Sequence, residues 1–283
     1  MKVIFHADDF GLTSAVNAGI LEACERGVLR STSLIVTAEA ADDAVTGARS
    51  LPRLDVGVHL TLVEERPALP PAHIPSLVKD DRFWPTHAGI AARYALGRWR
   101  AAEARTELAA QLDRFVAFGL APSHVDGHQH LHLLPGVYRF VVAEARRRGI
   151  RFVRTTLGDP LFGEGAGTRT LMLLAVRTAA RVAGARRRLA PFTTIGFLHA
   201  GGGMTSARLL AFLDRIRRRT PDAIVEVMLH PGRRDDATAR RYGHWRYRWE
   251  NDLALVLDPS LPDALAQRGI EVTSFRDLAT TDD

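Results

Sequence analysis

The sequence predicts a parallel α/β fold, a TIM-barrel-like (β/α) barrel of about seven strands. Three observations carry this. Short apolar strand patterns alternate with helical ones along the whole chain. No composition break or internal repeat divides it. The ionisable tracts fall at the C-terminal ends of strand patterns, where barrels gather their chemistry. A barrel of 283 residues fits one domain, so residues 1–283 are read as one unit.

The elements follow in order. Lys2 to Ala7 is a buried strand that stops at Asp8-Asp9-Phe10-Gly11. Thr13 or Ser14 caps a helix to Arg26, with Val16, Ile20 and Ala23 inward. Ser33 to Val36 is the second strand, Glu39 to Arg49 a helix, and Asp55 to Leu62 the third strand, containing His59. Residues 64–87 hold Pro67, Pro70, Pro71, Pro75 and Pro85, the mark of a long irregular loop of the kind that covers a site. Ala101 to Phe118 is a helix with Leu108, Leu112, Phe115 and Val116 as its apolar positions. The His-rich tract is a strand, followed by a helix over Gly136 to Arg148 and a strand over Ile150 to Arg154. Thr170 to Leu189 is a basic amphipathic helix with Leu171, Leu174, Thr178 and Val182 on one face and Arg177, Arg181 and Arg188 off it. Gly201 to Met204 is a loop before the helix Ser206 to Arg219. It is no phosphate-binding loop, because no Lys-Ser/Thr follows. Ala223 to Leu229 is a strand ending at His230-Pro231, and Trp245 to Leu257 reads as helix. The helix Leu261 to Arg268 and the strand Ile270 to Thr273 close the pattern.

Composition excludes several classes. Apolar content of 46% and charged content of 25% are ordinary for a globular protein. A single cysteine, Cys24, rules out an internal disulfide and a cysteine-rich zinc module. No signal-peptide pattern opens the sequence and no uncharged run reaches spanning length, so a cytoplasmic protein is expected. The net charge of +6 comes largely from the arginine clusters 146–148, 186–188, 217–219 and 240–241. Two of these end predicted helices, where cations suit the dipole. They read as solvated faces, and no nucleic-acid partner is expected.

The chemistry is concentrated in His124-Val125-Asp126-Gly127-His128-Gln129-His130-Leu131-His132. In an extended strand, Asp126, His128, His130 and His132 share one face, offering donors that borderline divalent metals prefer. Two adjacent carboxylates, Asp8 and Asp9, at the end of an apolar strand need compensation, which a cation supplies. His59 and His230 also lie at strand ends. Asp9, His59 and His128 form a three-ligand set that leaves room for water and substrate. Asp8 is placed as the base and His230 as the acid of a metal-assisted hydrolysis, with Asp126, His130 and His132 orienting the ligands through hydrogen bonds or contacting substrate.

Ala7-Asp8-Asp9-Phe10-Gly11, Gly57-Val58-His59, the tract 124–132 and Glu226-Val227-Met228-Leu229-His230-Pro231 together resemble the YdjC-like carbohydrate deacetylases, which include chitooligosaccharide deacetylase. The agreement runs from residue 3 to about residue 278. The resemblance implies a TIM-barrel-like fold, one divalent metal ion (magnesium or zinc), a homodimer, and removal of acetyl from an N-acetylated sugar. It implies Asp9, His59 and His128 as ligands, Asp8 as base and His230 as acid. Thr193-Thr194-Ile195-Gly196-Phe197 and the basic helix before it are most similar to the branch associated with hopanoid biosynthesis. That branch implies an N-acetylglucosaminyl-bacteriohopanepolyol substrate and peripheral membrane contact through 170–189. Residues 160–205 depart most from the chitooligosaccharide branch and are read as a variable lid. A metal phosphoesterase is the alternative chemistry; it usually needs more carboxylates and a second ion.

Overall fold

The computed structural model describes residues 1–155, 168–182 and 191–280, without the side chains of Thr168, Arg169 and Met172. The elements are β1 (Lys2–Phe10), α1 (Ser14–Arg26), β2 (Ser31–Leu34), α2 (Ala41–Ser50), β3 (Asp55–Leu60), the short pair β4 (Val78–Lys79) and β5 (Arg82–Phe83), α3 (His87–Ala95) and α4 (Ala101–Ala117). Then come β6 (His124–Gly127), α5 (Pro135–Arg147), β7 (Phe152–Val153), α6 (Thr168–Val182), β8 (Thr193–Ile195), α7 (Ser206–Arg219) and β9 (Ile224–Leu229). The chain closes with α8 (Asp236–Tyr242), α9 (Trp249–Val256), α10 (Leu261–Ala266), β10 (Glu271–Val272) and α11 (Phe275–Thr280).

Seven parallel strands form one curled sheet in the order β7-β6-β3-β2-β1-β9-β8, and β10 adds to the start of β1. This is the expected α/β barrel-like architecture. No pairing joins β7 to β8 among the described residues. Aromatic rings close that side at the base: Phe275 of α11 lies 5.2 Å from Phe152 and 5.1 Å from Phe192.

Strand alternation sorts side chains between two layers. On β1, Val3, Phe5 and Ala7 join the main apolar core, which includes Val16, Ile20 and Ala23 of α1. The buried Val, Ile and Phe side chains among these each contribute roughly 1.5–3 kcal/mol. Ile4, His6 and Asp8 face the lumen instead. Ile4 packs on Phe152 and Phe275 at the base. His6 meets Ser31 and Ser33 of β2 at 3.1 Å each. The core therefore lies between sheet and helices, and the upper lumen is polar.

Several boundaries differ from expectation. β1 continues through Asp8 and Asp9 rather than stopping before them. The loop 64–87 contains the β4–β5 hairpin, and α3 and α8 arise where no helix was read. Val116 is 49% exposed, outside the buried face of α4. On α6 the buried stripe is Leu173, Arg177 and Ala180, whereas Leu171 and Val182 are 68% and 61% exposed. The predicted face is therefore rotated, because docking on Phe197 and Met228 selects Leu173. Arg188 and the rest of 183–189 lie outside the described residues, as do 160–167 and 183–190 of the expected lid. No helix among the described residues is long and apolar enough to cross a membrane.

The His-rich tract is the main correction. β6 ends at Gly127, and His128 to Leu133 form a 3₁₀ turn in which Gln129 and His130 adopt left-handed backbone with φ of 49° and 58°. Asp126, His128, His130 and His132 therefore do not share a strand face. A Cβ on Gly127 would sit 2.7 Å from Nδ1 of His132, so glycine is what lets the turn fold back this tightly.

Candidate metal centre

At the C-terminal mouth of the sheet lies a cavity of about 450 Å³. Asp8, Asp9, His59, His128 and His230 all line it. Five side chains from four separate stretches of sequence thus meet where they were expected to meet.

Asp8 and Asp9 reach the same cavity because β1 is irregular at its end. Regular alternation would send the second carboxylate outward. The β1–β2 register shifts between Ala7 and Phe10, and Asp9 has φ of 68°. This bulge turns Asp9 back inward. Aspartate tolerates left-handed backbone better than most residues.

Asp9, His59 and His128 each present one ligand atom, all within 4.8 Å of one another. Asp9 Oδ1 lies 2.8 Å from Nδ1 of His128 and 3.4 Å from Nε2 of His59. The far nitrogen of His59 is fixed: its Nδ1 is 2.7 Å from Asp126 Oδ1 and 2.9 Å from Ser33 Oγ. Such a carboxylate behind an imidazole sets its tautomer and orientation. Asp126 thus takes the orienting place expected of it.

His130 lines the cavity and His132 lies behind it, and neither makes the expected hydrogen bond to Asp9, His59 or His128. His132 Nε2 lies 3.0 Å from the carbonyl oxygen of Arg154, and His130 stacks on Phe197 with centroids 5.0 Å apart. Burial pushes His132 down to about 4 and takes His130 well below the ordinary histidine value, so both stay neutral.

Arg154 is the residue whose part the sequence did not disclose. It is 1% exposed and spans the upper lumen. Its Nη1 and Nη2 each donate to Asp8 at 2.7 Å, and Nη2 lies 2.8 Å from Asp126 and 2.7 Å from Glu226. Thr194 Oγ1 donates to Glu226 at 2.7 Å. Glu226 had a legible signal, a lone charge within an apolar strand. His6 did not stand out from its short strand.

Burial by itself would raise Asp8, Asp9 and Asp126, and their cationic neighbours outweigh it. Arg154 brings Asp8 below its ordinary value, His128 and His59 take Asp9 well below it, and Arg154 with His59 does the same for Asp126. Burial by itself would lower the imidazoles, and their carboxylates outweigh it. Asp126, Asp9 and Asp8 push His59 up to about 10, and Asp9 with Glu64 pushes His128 up to about 9. Without an ion, protons hold the positive charge this site demands, so the donor set fits a divalent cation.

A pH prediction follows from those directions. His59 and His128 are raised above their unfolded value of 6.5, so the stability they give the ion-free chain is full below that value. It is lost as pH climbs through about 9 and about 10. Chelator-treated protein is expected to melt at progressively lower temperature over that alkaline range. Added zinc is expected to replace the protons and reverse the trend, binding more strongly as pH rises. Thermal melts with and without zinc measure both.

His230 completes the rim. Its backbone N–H donates to Asp252 Oδ2 at 2.9 Å, its ring packs on Tyr247 at 4.7 Å, and its Nε2 lies 3.9 Å from Asp8 Oδ2. Pro231-Gly232 then leaves the site against α1, where a Cβ on Gly19 would fall 2.4 Å from Gly232 Cα. Gly19 is the reason the helix can approach this turn.

Fold and site define the class: a parallel (β/α)-barrel-like protein with a buried carboxylate–imidazole cluster at its C-terminal mouth. The chain belongs to the YdjC-like protein family, whose sequence model matches residues 2–267. It is 34% identical to a carbohydrate deacetylase of Geobacillus stearothermophilus, over 97% of each chain. It is 32% identical to a chitooligosaccharide deacetylase of Salmonella paratyphi B, over 98% of each. A crystal structure from Enterococcus faecalis V583, of a protein named for a proposed cellobiose-phosphate cleavage activity, superposes with a TM-score of 0.77. It is 25% identical and covered over 98% of both chains.

Proposed function

We propose that this protein is a metal-dependent hydrolase that removes acetyl from an N-acetylated amino sugar. The observation that carries the reading is the meeting of Asp9, His59 and His128, with Asp8 and His230 facing each other beside them at 3.9 Å. The names of the relatives from Geobacillus and Salmonella support it.

Asp9, His59 and His128 would hold one divalent ion, and two imidazoles with one carboxylate favour zinc over magnesium. When bound, the ion polarises the acetamide carbonyl and makes water acidic enough for a weak base to deprotonate. Asp8 is such a base, since Arg154 keeps it ionised with both oxygens fixed in place. It accepts the proton of the attacking water. His230 Nε2, on the other side of Asp8, donates a proton to the departing amine. Asp126 holds His59 in the tautomer that presents Nε2.

Within this class we assign the substrate to a lipid-linked sugar, an N-acetylglucosaminyl-bacteriohopanepolyol of hopanoid biosynthesis, with chitooligosaccharides as the alternative. Leu171, Leu174 and Val182 on α6 are 68%, 42% and 61% exposed, an apolar surface suited to an amphiphilic substrate at the cytoplasmic face of a membrane. A homodimer belongs to the same reading. A phosphoesterase with a second ion is disfavoured, because among the described residues the other two His/Asp groupings both use Asp126, which already pairs with Arg154 at 2.8 Å.

Acetate release across diacetylchitobiose, free N-acetylglucosamine and an N-acetylglucosaminyl hopanoid tests the assignment. Release from the hopanoid above the others, abolished by chelator, is the expected result. Preference for diacetylchitobiose assigns the alternative, and no release from any of them overturns the deacetylase reading.

A further inference from the structure

Glu64 lies just beyond β3, in the proline-rich loop, with left-handed backbone at φ of 62°. Its side chain is 11% exposed and gathers partners from two distant segments. Gln129 Nε2 donates to its Oε2 at 3.0 Å, and Trp245 Nε1 donates to Oε1 at 3.3 Å. His244 Nε2 lies 2.7 Å from Oε1. Oε2 is also 3.7 Å from Nε2 of His128, the nitrogen facing away from Asp9. Among the described residues that buried Nε2 has no hydrogen-bond partner. The two candidate ligand imidazoles are therefore built alike: each turns one nitrogen to Asp9 and the other toward a carboxylate, Asp126 for His59 and Glu64 for His128.

The segment Glu64 ties down reaches both working histidines. Trp245 packs on the His128 ring with centroids 5.2 Å apart, and Tyr247 packs on the His230 ring at 4.7 Å. Neighbouring Glu65, 1% exposed, holds the same segment further back, accepting from Tyr242 Oη at 2.7 Å and Arg241 Nη2 at 2.9 Å. Only the first of these adjacent carboxylates faces a candidate ligand.

We propose that Glu64 is a positioning residue of this site: it orients His128 from the side opposite Asp9. This rests on the metal-centre reading above. Removing such a carboxylate behind a ligand weakens metal binding by about 10–100-fold in other sites.

The test compares E64Q with E65Q. Both replacements keep shape, and both loosen the same segment if anchoring is all that matters. Chains freed of metal are titrated with zinc by calorimetry and with cobalt(II) by visible absorption. E64Q is expected to bind zinc at least about tenfold more weakly than wild type and to shift the cobalt(II) absorption bands. E65Q is expected to match wild type in both. If wild type binds and E64Q binds as tightly with unchanged bands, the proposal fails while the metal reading stands. An equal loss in E65Q also overturns it, leaving Glu64 as a mere anchor. A wild-type chain that binds neither ion sinks the metal reading and this proposal with it.

Discussion

Asp9→Asn is expected to abolish high-affinity zinc binding and to cut acetate release by about 10²–10³-fold, the scale on which loss of a transition-state charge stabiliser acts. Asparagine has nearly the same shape and visits left-handed backbone as readily, so the bulge at φ of 68° remains satisfied. What disappears is the negative charge that His59 and His128 both face, at 3.4 and 2.8 Å. The loss is thus chemical rather than a failure of folding. Calorimetric titration with zinc and an acetate assay at saturating substrate measure it. Undiminished zinc binding in this variant would show that the ion, if any, sits elsewhere.

Arg154→Met is expected to destabilise the fold by about 3–5 kcal/mol, the usual consequence of removing one partner from a buried ion network. The guanidinium is the shared partner of Asp8, Asp126 and Glu226, at 2.7, 2.8 and 2.7 Å. Without it, three buried carboxylates share the upper lumen and their ionised forms are no longer compensated. Asp8 is expected to take up a proton more easily and to lose its standing as an ionised base. Arg154→Lys keeps the charge but not the planar fork that serves several acceptors at once. It is expected to fall between wild type and the methionine variant. Urea unfolding of the three proteins, followed by circular dichroism, gives the order. A methionine variant as stable as wild type would mean that the network is not held together by this charge.

These two residues show what a sequence discloses. Asp9 was legible because two carboxylates at the end of an apolar strand need a cation, and the family motif around it is specific. His59, His128 and His230 were legible for the same kind of reason, as histidines at strand ends. Arg154 was visible as a charge at the end of β7, but nothing in its spacing says that it spans to three acidic side chains on other strands. Glu64 sits in a proline-rich loop without periodicity, and its partners lie near residues 129 and 245. The missed helix α8 did carry a signal, since the Asp235 side chain caps it through the backbone N–H of Thr238 at 2.8 Å.

Period-two reasoning failed in the His-rich tract for a definite cause. It holds only while the backbone stays extended, and the strand ends at Gly127, followed by a turn with two left-handed residues. Of the four residues in that pattern, His128 still lines the cavity and Asp126 touches His59 behind it. On α6, two apolar stripes compete, and the pattern alone ranks them by hydrophobicity. Contact with Phe197 and Met228 ranks them by shape and favours Leu173.

By itself, the sequence determined the alternation of strands and helices, the strand ends at which ionisable groups collect, and the carboxylates and imidazoles that meet there. Those are local properties, written in periodicity and in the cost of burying charge. Tertiary structure alone decided which nitrogen each histidine offers, how Asp8 is kept ionised, and which face of α6 is covered. These depend on contacts between segments as far as 119 and 146 residues apart, and no local pattern encodes such distances. They emerge only when the sheet curls and brings its strand ends to one mouth.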